Sequence, residues 1–131
     1  MLTGACHCEA VRWTFEGDPG RATACNCTIC RRYGALWAYG WEDQRITTHG
    51  ETEIYVRGDR KLGFHHCPNC GCVTWWRELT PRSDGRTQIA VNLRMADEPD
   101  AIAHLSVRHF DGLVAFKETP NQIGCVADLW F

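Results

Sequence analysis

Residues 67–71 read CPNCG, two cysteines separated by a proline and an asparagine and followed by a glycine. This C-x-x-C-G pattern is typical of a zinc knuckle, a tight turn whose backbone N–H groups point at the cysteine sulfurs. Pro68 presets the turn, and Gly71 has the conformational freedom that the chain needs to leave it. A knuckle provides two ligands, so a closed tetrahedral zinc site requires two more from elsewhere in the chain.

The two missing ligands are available near the start of the chain, where residues 4–8 read GACHC. Both cysteines of this stretch can reach one metal ion from a single turn. We therefore expect four thiolates to form a saturated structural zinc site that joins the N-terminal segment to the middle of the chain. The expected ligands of this site are Cys6, Cys8, Cys67 and Cys70.

A third group of cysteines lies between these two, in residues 25–30, which read CNCTIC. A single disulfide would leave one of the three thiols unpaired, and a closed tetrahedral zinc site would lack one ligand. A zinc ion with three protein ligands keeps one coordination position open, as catalytic zinc requires. The sequence therefore predicts a second, open zinc site. Its ligands, which are also the expected catalytic residues, are Cys25, Cys27 and Cys30.

Two other partitions of the cysteines remain open at the level of the sequence. The C-x-x-C pair of residues 27–30 could share the structural site with the knuckle pair of residues 67–70, which would leave the pair of residues 6–8 spare. Alternatively, Cys72 could complete a second closed site. A small buried residue is the simpler interpretation of Cys72, because free cysteine commonly behaves as a small hydrophobic side chain.

The number and clustering of the cysteines favour metal binding in a reducing compartment. The chain has nine cysteines, and all but one fall into three tight clusters, whereas disulfide frameworks usually have wider spacing and occur in secreted chains. Residues 1–13 lack the charged leader and apolar core of a secretion signal, so we expect a cytoplasmic protein. No apolar run approaches the roughly 20 residues of a membrane span, so no membrane partner is expected.

The length and charge of the chain limit its organisation and its partners. A chain of 131 residues is long enough for one compact domain and short for two, so residues 1–131 are expected to form a single domain. The net charge of −2 does not favour nucleic acid as a partner, because a chromatin-binding protein is expected to be basic.

Alternating hydrophobic residues predict a mainly β fold. The expected strands are residues 10–15, 35–41 and 52–58, with a hairpin formed by residues 73–79 and 87–95 around a Pro/Asp/Gly turn. Trp75 and Trp76 would point to opposite faces of their strand, so one of them is expected to be exposed and to line a pocket. Only residues 95–105 and the segment after Cys30 are expected to be helical, and both are short.

The three cysteine stretches, in this order and at this spacing, resemble the glutathione-dependent formaldehyde-activating enzyme family, which also includes centromere protein V-like proteins. The stretches are GACHC (4–8), CNCTICRRYG (25–34) and CPNCG (67–71). The resemblance extends from Gly4 to about Met95. It implies an Mss4-like fold of packed antiparallel sheets, a structural zinc on the first and third stretches and a second zinc on the middle one.

The resemblance also implies a zinc-dependent carbon–sulfur lyase that forms or cleaves a thiol adduct such as S-hydroxymethylglutathione. The expected partner is a small thiol such as glutathione, which would lose its proton near neutral pH because a metal stabilises the thiolate. At most one of Arg31 and Arg32 is expected to hold a substrate carboxylate. The alternative is a non-catalytic, zinc-stabilised interaction module, as the centromere-associated relatives suggest.

Overall fold

The computed structural model describes residues 1–120 and 124–129, and these residues form β-strands joined by turns and a few short helices. The strands are β1 (Leu2–Ala5), β2 (Arg12–Phe15), β3 (Arg21–Cys25), β4 (Leu36–Trp41), β5 (Ile46–His49), β6 (Glu53–Val56), β7 (Leu62–His66), β8 (Val73–Glu78), β9 (Gln88–Asn92), β10 (Ser106–Asp111) and β11 (Lys117–Glu118). The helix α1 (Cys30–Tyr33) follows β3, and 3-10 helices span Leu93–Met95, Pro99–Ala101 and Val126–Leu129. The prediction of a mainly β fold is confirmed.

The strands form two sheets. A three-stranded sheet has the order β1-β2-β5, and an eight-stranded sheet has the order β11-β10-β3-β4-β9-β8-β7-β6. The pairings between these strands are antiparallel, as expected, except for β3 with β10, which run parallel. Within residues 1–120 and 124–129, none of the helices has the length and apolar character that a bilayer crossing requires.

The large sheet has a hydrophobic core on each face, because successive side chains of a strand point to opposite faces. The first core joins this sheet to the small sheet, and its buried members include Trp13, Phe15, Leu36, Ile46, Ile89 and Val91. The second core covers the other face, and its buried members include Cys27, Cys30, Trp37, Phe64, Trp76 and Ala90.

The neighbouring tryptophans of β8 lie on opposite faces, as predicted. Trp75 belongs to the first core and Trp76 to the second. Both are buried, with exposed fractions of 3% and 7%, so the expectation that one of them would be exposed is wrong. A sheet covered on both faces leaves no exposed side for a central strand.

The predicted hairpin forms, since β8 and β9 pair antiparallel, but the helix predicted over residues 95–105 does not. Two short 3-10 helices, Leu93–Met95 and Pro99–Ala101, are found here instead, and the rest of the stretch consists of turns and irregular backbone. Pro99 lacks the N–H that an α-helix would use, and it holds Glu98 in an extended conformation with φ −115° and ψ 95°. The short helix expected after Cys30 is present as α1 and ends at Gly34, whose φ is 62°.

Gly4 of β1 lies directly over the indole of Trp13, and an added Cβ would overlap that ring and approach the Met95 carbonyl oxygen to 2.7 Å. We expect Gly4→Ala to lower the free energy of unfolding by about 1–3 kcal/mol, because the close-packed first core has no room for it. Urea denaturation of the metal-loaded protein measures this change. The control is Gly58→Ala, whose Cβ would meet nothing within 4 Å, and similar midpoints for both variants would contradict this account of the packing.

Candidate metal centres and the adjoining pocket

Four cysteine sulfurs from two distant turns meet beside the first core. Two of these cysteines lie in the turn between β1 and β2, and two in the turn between β7 and β8. The four sulfur atoms all lie within 4.8 Å of one another. The Cys6–Cys8 and Cys8–Cys67 sulfur separations are both 3.6 Å. We call this group the four-cysteine cluster, and its members are Cys6, Cys8, Cys67 and Cys70.

Backbone N–H groups of the two turns point at these sulfurs, as a zinc knuckle requires. The N–H of Val11 donates to the Cys6 sulfur at 3.3 Å. Hydrogen bonds from the backbone N–H groups of Cys72 and Cys8 lower the pKa of Cys70 to about 5. Gly71 has a φ of 78°, the left-handed conformation predicted for the residue that leaves the knuckle. The backbone therefore stabilises negative charge on sulfur.

The remaining three cysteines of the pattern meet on the opposite face of the large sheet. Cys25 is the last residue of β3, Cys27 lies in the turn that follows, and Cys30 is the first residue of α1. Their sulfur atoms also lie within 4.8 Å of one another. Cys27 and Cys30 are buried in the second core, and Cys25 is half-buried. We call Cys25, Cys27 and Cys30 the three-cysteine cluster.

Several N–H groups surround the three-cysteine cluster. The Trp37 indole N–H donates to the Cys30 sulfur at 3.3 Å, and the Cys30 backbone N–H donates to the Cys27 sulfur at 3.3 Å. A guanidinium nitrogen of Arg57 lies 4.0 Å from the Cys27 sulfur. Donors and positive charge around sulfur favour its thiolate form, which is the form that binds a metal.

The three thiols of this cluster differ in acidity. A hydrogen bond from Cys30, aided by the backbone N–H groups of Cys27 and Gly112, lowers the pKa of Cys25 to about 6. The same Cys25–Cys30 hydrogen bond, together with burial, raises the pKa of Cys30. One thiolate beside protonated neighbours is how closely spaced thiols share charge without a metal. Such a set of soft donors suits a thiophilic ion such as zinc.

The structure groups the cysteines as four and three, as the count of ligands in the sequence favoured. It shows neither of the two alternative groupings in the described part of the chain. Among the described residues, the pair of residues 27–30 groups with Cys25 and not with the knuckle. Cys72 lies next to Cys70, half-buried against the first core, and is not a member of the three-cysteine cluster. No structural feature of the described chain therefore offers Cys72 as a fourth ligand for Cys25, Cys27 and Cys30.

A pocket with a volume of about 570 Å³ opens beside the three-cysteine cluster, and all three cysteines line it. Its walls are rich in aromatic side chains, namely Trp37, Tyr39, Phe64, Trp76, Phe110 and Phe116. Volumes of this order are typical of small-molecule sites, which combine apolar walls with a few polar groups. The prediction that one of the two neighbouring tryptophans lines a pocket is thus met by Trp76, although it is buried.

Cationic side chains outnumber carboxylates in this pocket. The cations are Arg57, Arg60, Lys61 and Arg108, and the carboxylates are Asp59 and Glu78. Neither Arg31 nor Arg32, which were considered as holders of a substrate carboxylate, lines this pocket. Arg31 is exposed, and Arg32 donates to the Thr28 carbonyl oxygen at 2.7 Å and lines a separate, shallower cleft.

The loop of residues 111–116, which we call the covering loop, closes one side of the three-cysteine cluster. Its Asp111 carboxylate accepts hydrogen bonds from the Asn26 side chain at 3.2 Å and from the backbone N–H groups of residues 113–115. A Cβ on Gly112 would lie 2.7 Å from the Cys25 sulfur and 2.9 Å from Cβ of Cys27. Only glycine allows the loop to come this close to the cysteines.

Sequence reasoning missed several residues of the site. Aromatic residues at every second position of β4 are the sequence feature that indicates Trp37, because it shares a face of the strand with Tyr39. A turn at residues 111–112 is signalled by the pair Asp-Gly, but nothing local indicates that it contacts cysteines 85 or more positions earlier. Arg57 and Arg108 carry no sequence signal, because only the sheet order places them beside the cluster.

Comparisons with known proteins agree with the resemblance in the cysteine pattern. The family model described as glutathione-dependent formaldehyde-activating enzyme matches residues 1–109. A curated protein of Halomonas elongata, provisionally named a glutathione-dependent formaldehyde-activating enzyme, is 30% identical over 95 residues. That alignment covers 60% of this chain and 60% of the relative, so the chain matches well under two thirds of the relative's length.

A solved structure is similar over most of its length. The crystal structure of a Rhodobacter sphaeroides protein aligns with a TM-score of 0.61 and 25% identity, covering 80% of this chain and 98% of that chain. The family model, in turn, spans all seven cysteines of the two clusters. The chain belongs to the glutathione-dependent formaldehyde-activating enzyme family.

Proposed function

We propose that this chain is a zinc-dependent carbon–sulfur lyase that forms or cleaves a hydroxymethyl adduct of a small thiol. The observation that carries the proposal is the three-cysteine cluster, whose side chains line a pocket large enough for a small molecule. The family description supplies formaldehyde and glutathione as the reactants to consider first, and the name of the Halomonas elongata relative points to the same pair.

The four-cysteine cluster is proposed to hold a structural zinc ion. A tetrahedral site with Zn–S distances of 2.3 Å has edges of roughly 3.8 Å, and the two sulfur separations of 3.6 Å are close to that value. Four thiolates saturate the ion and leave no place for a substrate. This ion would tie the turn between β1 and β2 to the turn between β7 and β8.

The three-cysteine cluster is proposed to hold a second zinc ion with one ligand position left for the substrate. The number of donors supports this assignment, as do the N–H groups directed at the sulfurs and the pocket that the cluster lines. Zinc bound there would supply a Lewis acid that favours the thiolate form of a substrate thiol. The covering loop and Trp37 would keep the three sulfurs in place.

The proposed reaction is balanced without an oxidant or reductant. In the forming direction, a bond forms between the thiol sulfur and the carbonyl carbon of formaldehyde, and the thiol proton ends on the carbonyl oxygen. Cleavage reverses both changes. Arg57, which lines the pocket and lies 4.0 Å from the Cys27 sulfur, is placed to stabilise the negative charge that develops on that oxygen. The aromatic walls would exclude water from the reacting atoms.

We also propose that residues 1–131 act as one domain in the cytoplasm. All nine cysteines are free thiols, which supports a reducing compartment. The first core takes residues from both sheets and from near both ends of the described chain, Leu2 and Val126 among them. A chain whose core is built this way folds as one unit.

The second candidate is a non-catalytic, zinc-stabilised interaction module. The covering loop supports it, because three large apolar side chains of this loop are exposed. They are Leu113 at 54%, Val114 at 84% and Phe116 at 77%. Clustered apolar side chains on a surface commonly mark a contact with another molecule, and in this case both metal ions would serve only to hold the fold.

The four-cysteine cluster is tested by Cys67→Ser, which removes one ligand of the proposed structural zinc. We expect this variant to lose cooperative thermal unfolding, because structural zinc contributes roughly 10 kcal/mol or more of apparent binding energy. That is comparable to the whole stability of a small domain, about 5–15 kcal/mol. Circular dichroism and zinc content per chain are the measurements. A folded protein with an unchanged midpoint would refute the structural site.

The three-cysteine cluster is tested by Cys27→Ser, which makes the same chemical change on the other face of the sheet. We expect the fold to survive with a loss of stability of about 2 kcal/mol or less, and zinc content to fall from two ions per chain to one. The same two measurements apply. Destabilisation as large as that of Cys67→Ser would indicate that both sites are structural.

The activity is tested by the exchange of glutathione with its hydroxymethyl adduct at equilibrium, followed by NMR line broadening. We expect the wild-type protein to speed this exchange about 100-fold over Cys27→Ser, a typical effect of a group that stabilises developing charge. The variant is the right control because the reaction also proceeds without a catalyst. Equal exchange rates would favour the interaction module.

A further inference from the structure

The pocket beside the three-cysteine cluster is locally cationic in a chain of net charge −2. Of its two carboxylates, Glu78 already accepts three hydrogen bonds from the Arg82 guanidinium and one from the Gln88 backbone N–H. Asp59 is exposed and accepts the Lys61 backbone N–H at 3.3 Å. The pocket therefore has positive charge to offer a ligand and no buried carboxylate free to receive one.

Arg108 is the most constrained of the four cations. Its Nε donates to the Thr23 hydroxyl at 3.2 Å, and its guanidinium lies 5.3 Å from the ring centre of Tyr39 and 5.5 Å from that of Phe110. The side chain is half-buried. In residues 1–120 and 124–129, no carboxylate lies within 4.0 Å of it. A fixed, partly buried guanidinium with no acidic partner is suited to bind an anion.

The parallel pairing of β3 with β10 sets the distance between this cation and the cysteines. Arg108 is opposite Thr23, and Phe110 is opposite Cys25. Residues two apart on a strand share a face and are separated by about 7 Å. Cys25 and Arg108 also line the same pocket, so a thiol whose sulfur lies at the three-cysteine cluster can direct an anionic group toward the Arg108 guanidinium.

We propose that Arg108 binds the anionic group of the substrate, so that the site selects thiols that carry a carboxylate and does not recognise an ammonium group. This inference rests on the proposed function, because it takes the three-cysteine cluster as the place where the thiol binds. Arg108 contacts the substrate in this proposal and determines specificity. Since no carboxylate of the described chain lies beside Arg108, a cationic thiol of the same size would meet like charge there.

The test compares three small thiols that differ mainly in charge: 3-mercaptopropionate, 2-mercaptoethanol and cysteamine. Each is titrated into the cobalt(II)-substituted protein, and the thiol-dependent change in the charge-transfer absorption gives the affinity. We expect 3-mercaptopropionate to bind at least about tenfold more tightly than 2-mercaptoethanol, as for a hydrogen bond to a charged group. We expect cysteamine to bind most weakly.

Arg108→Gln should remove the preference, so that 3-mercaptopropionate binds this variant no more tightly than 2-mercaptoethanol does. Arg31→Gln is the matched control, because it removes the same charge next to Cys30 from an exposed residue that does not line the pocket. Arg108→Lys keeps the charge and should keep part of the preference, which also guards against a variant that folds poorly. The wild-type preference should persist in Arg31→Gln.

The outcomes separate this inference from the proposed function. If all three thiols change the cobalt spectrum with equal affinity, or if Arg108→Gln and Arg31→Gln behave alike, the role of Arg108 is wrong while thiol binding at the cluster stands. If no thiol changes the spectrum, both the proposed function and the role of Arg108 are overturned. Loss of the preference in Arg108→Gln alone supports both.

Discussion

Four sulfur atoms held within 4.8 Å of one another are the constraint on which the rest of this chain depends. Like charges at 3.6 Å repel, so the four thiols cannot all ionise without a cation among them. Protonated, they make only weak hydrogen bonds. A divalent ion would resolve this conflict, and it would do so between cysteines 59 positions apart in the chain. It would thereby offset the entropy lost when that long loop closes.

The alternation of side chains along the large sheet separates two kinds of chemistry. Cys6 and Cys67 are buried in the first core, where the small sheet covers them, and Cys27 and Cys30 are buried in the second core, beside the pocket. The same central strands serve both cores. One sheet, covered on both faces, thus separates the four-cysteine cluster from the pocket that the three-cysteine cluster lines.

The sequence is sufficient for the parts of this protein that depend on local spacing. Cysteine spacing predicts which cysteines lie together, and the alternation of side chains along β8 predicts that Trp75 and Trp76 lie on opposite faces. The helix expected over residues 95–105 fails because Pro99 interrupts the apolar pattern, and the exposed tryptophan expected in β8 fails because both faces of the large sheet are covered. The pocket cations were not predictable, since Arg57 and Arg108 reach the cysteines only through the order and direction of strands far apart in the chain.

The covering loop lies outside residues 1–109, the part of the chain that the family model matches. It nevertheless supplies Gly112 and Phe116 to the pocket wall. The three cysteines and part of the pocket wall therefore belong to different stretches of polypeptide, and Gly112 lies where the two stretches come into contact. A graft of this loop onto a related protein would therefore have to preserve the contacts at its base. Glycine at this junction and the Asn26–Asp111 contact are the two attachment points that such a graft must keep.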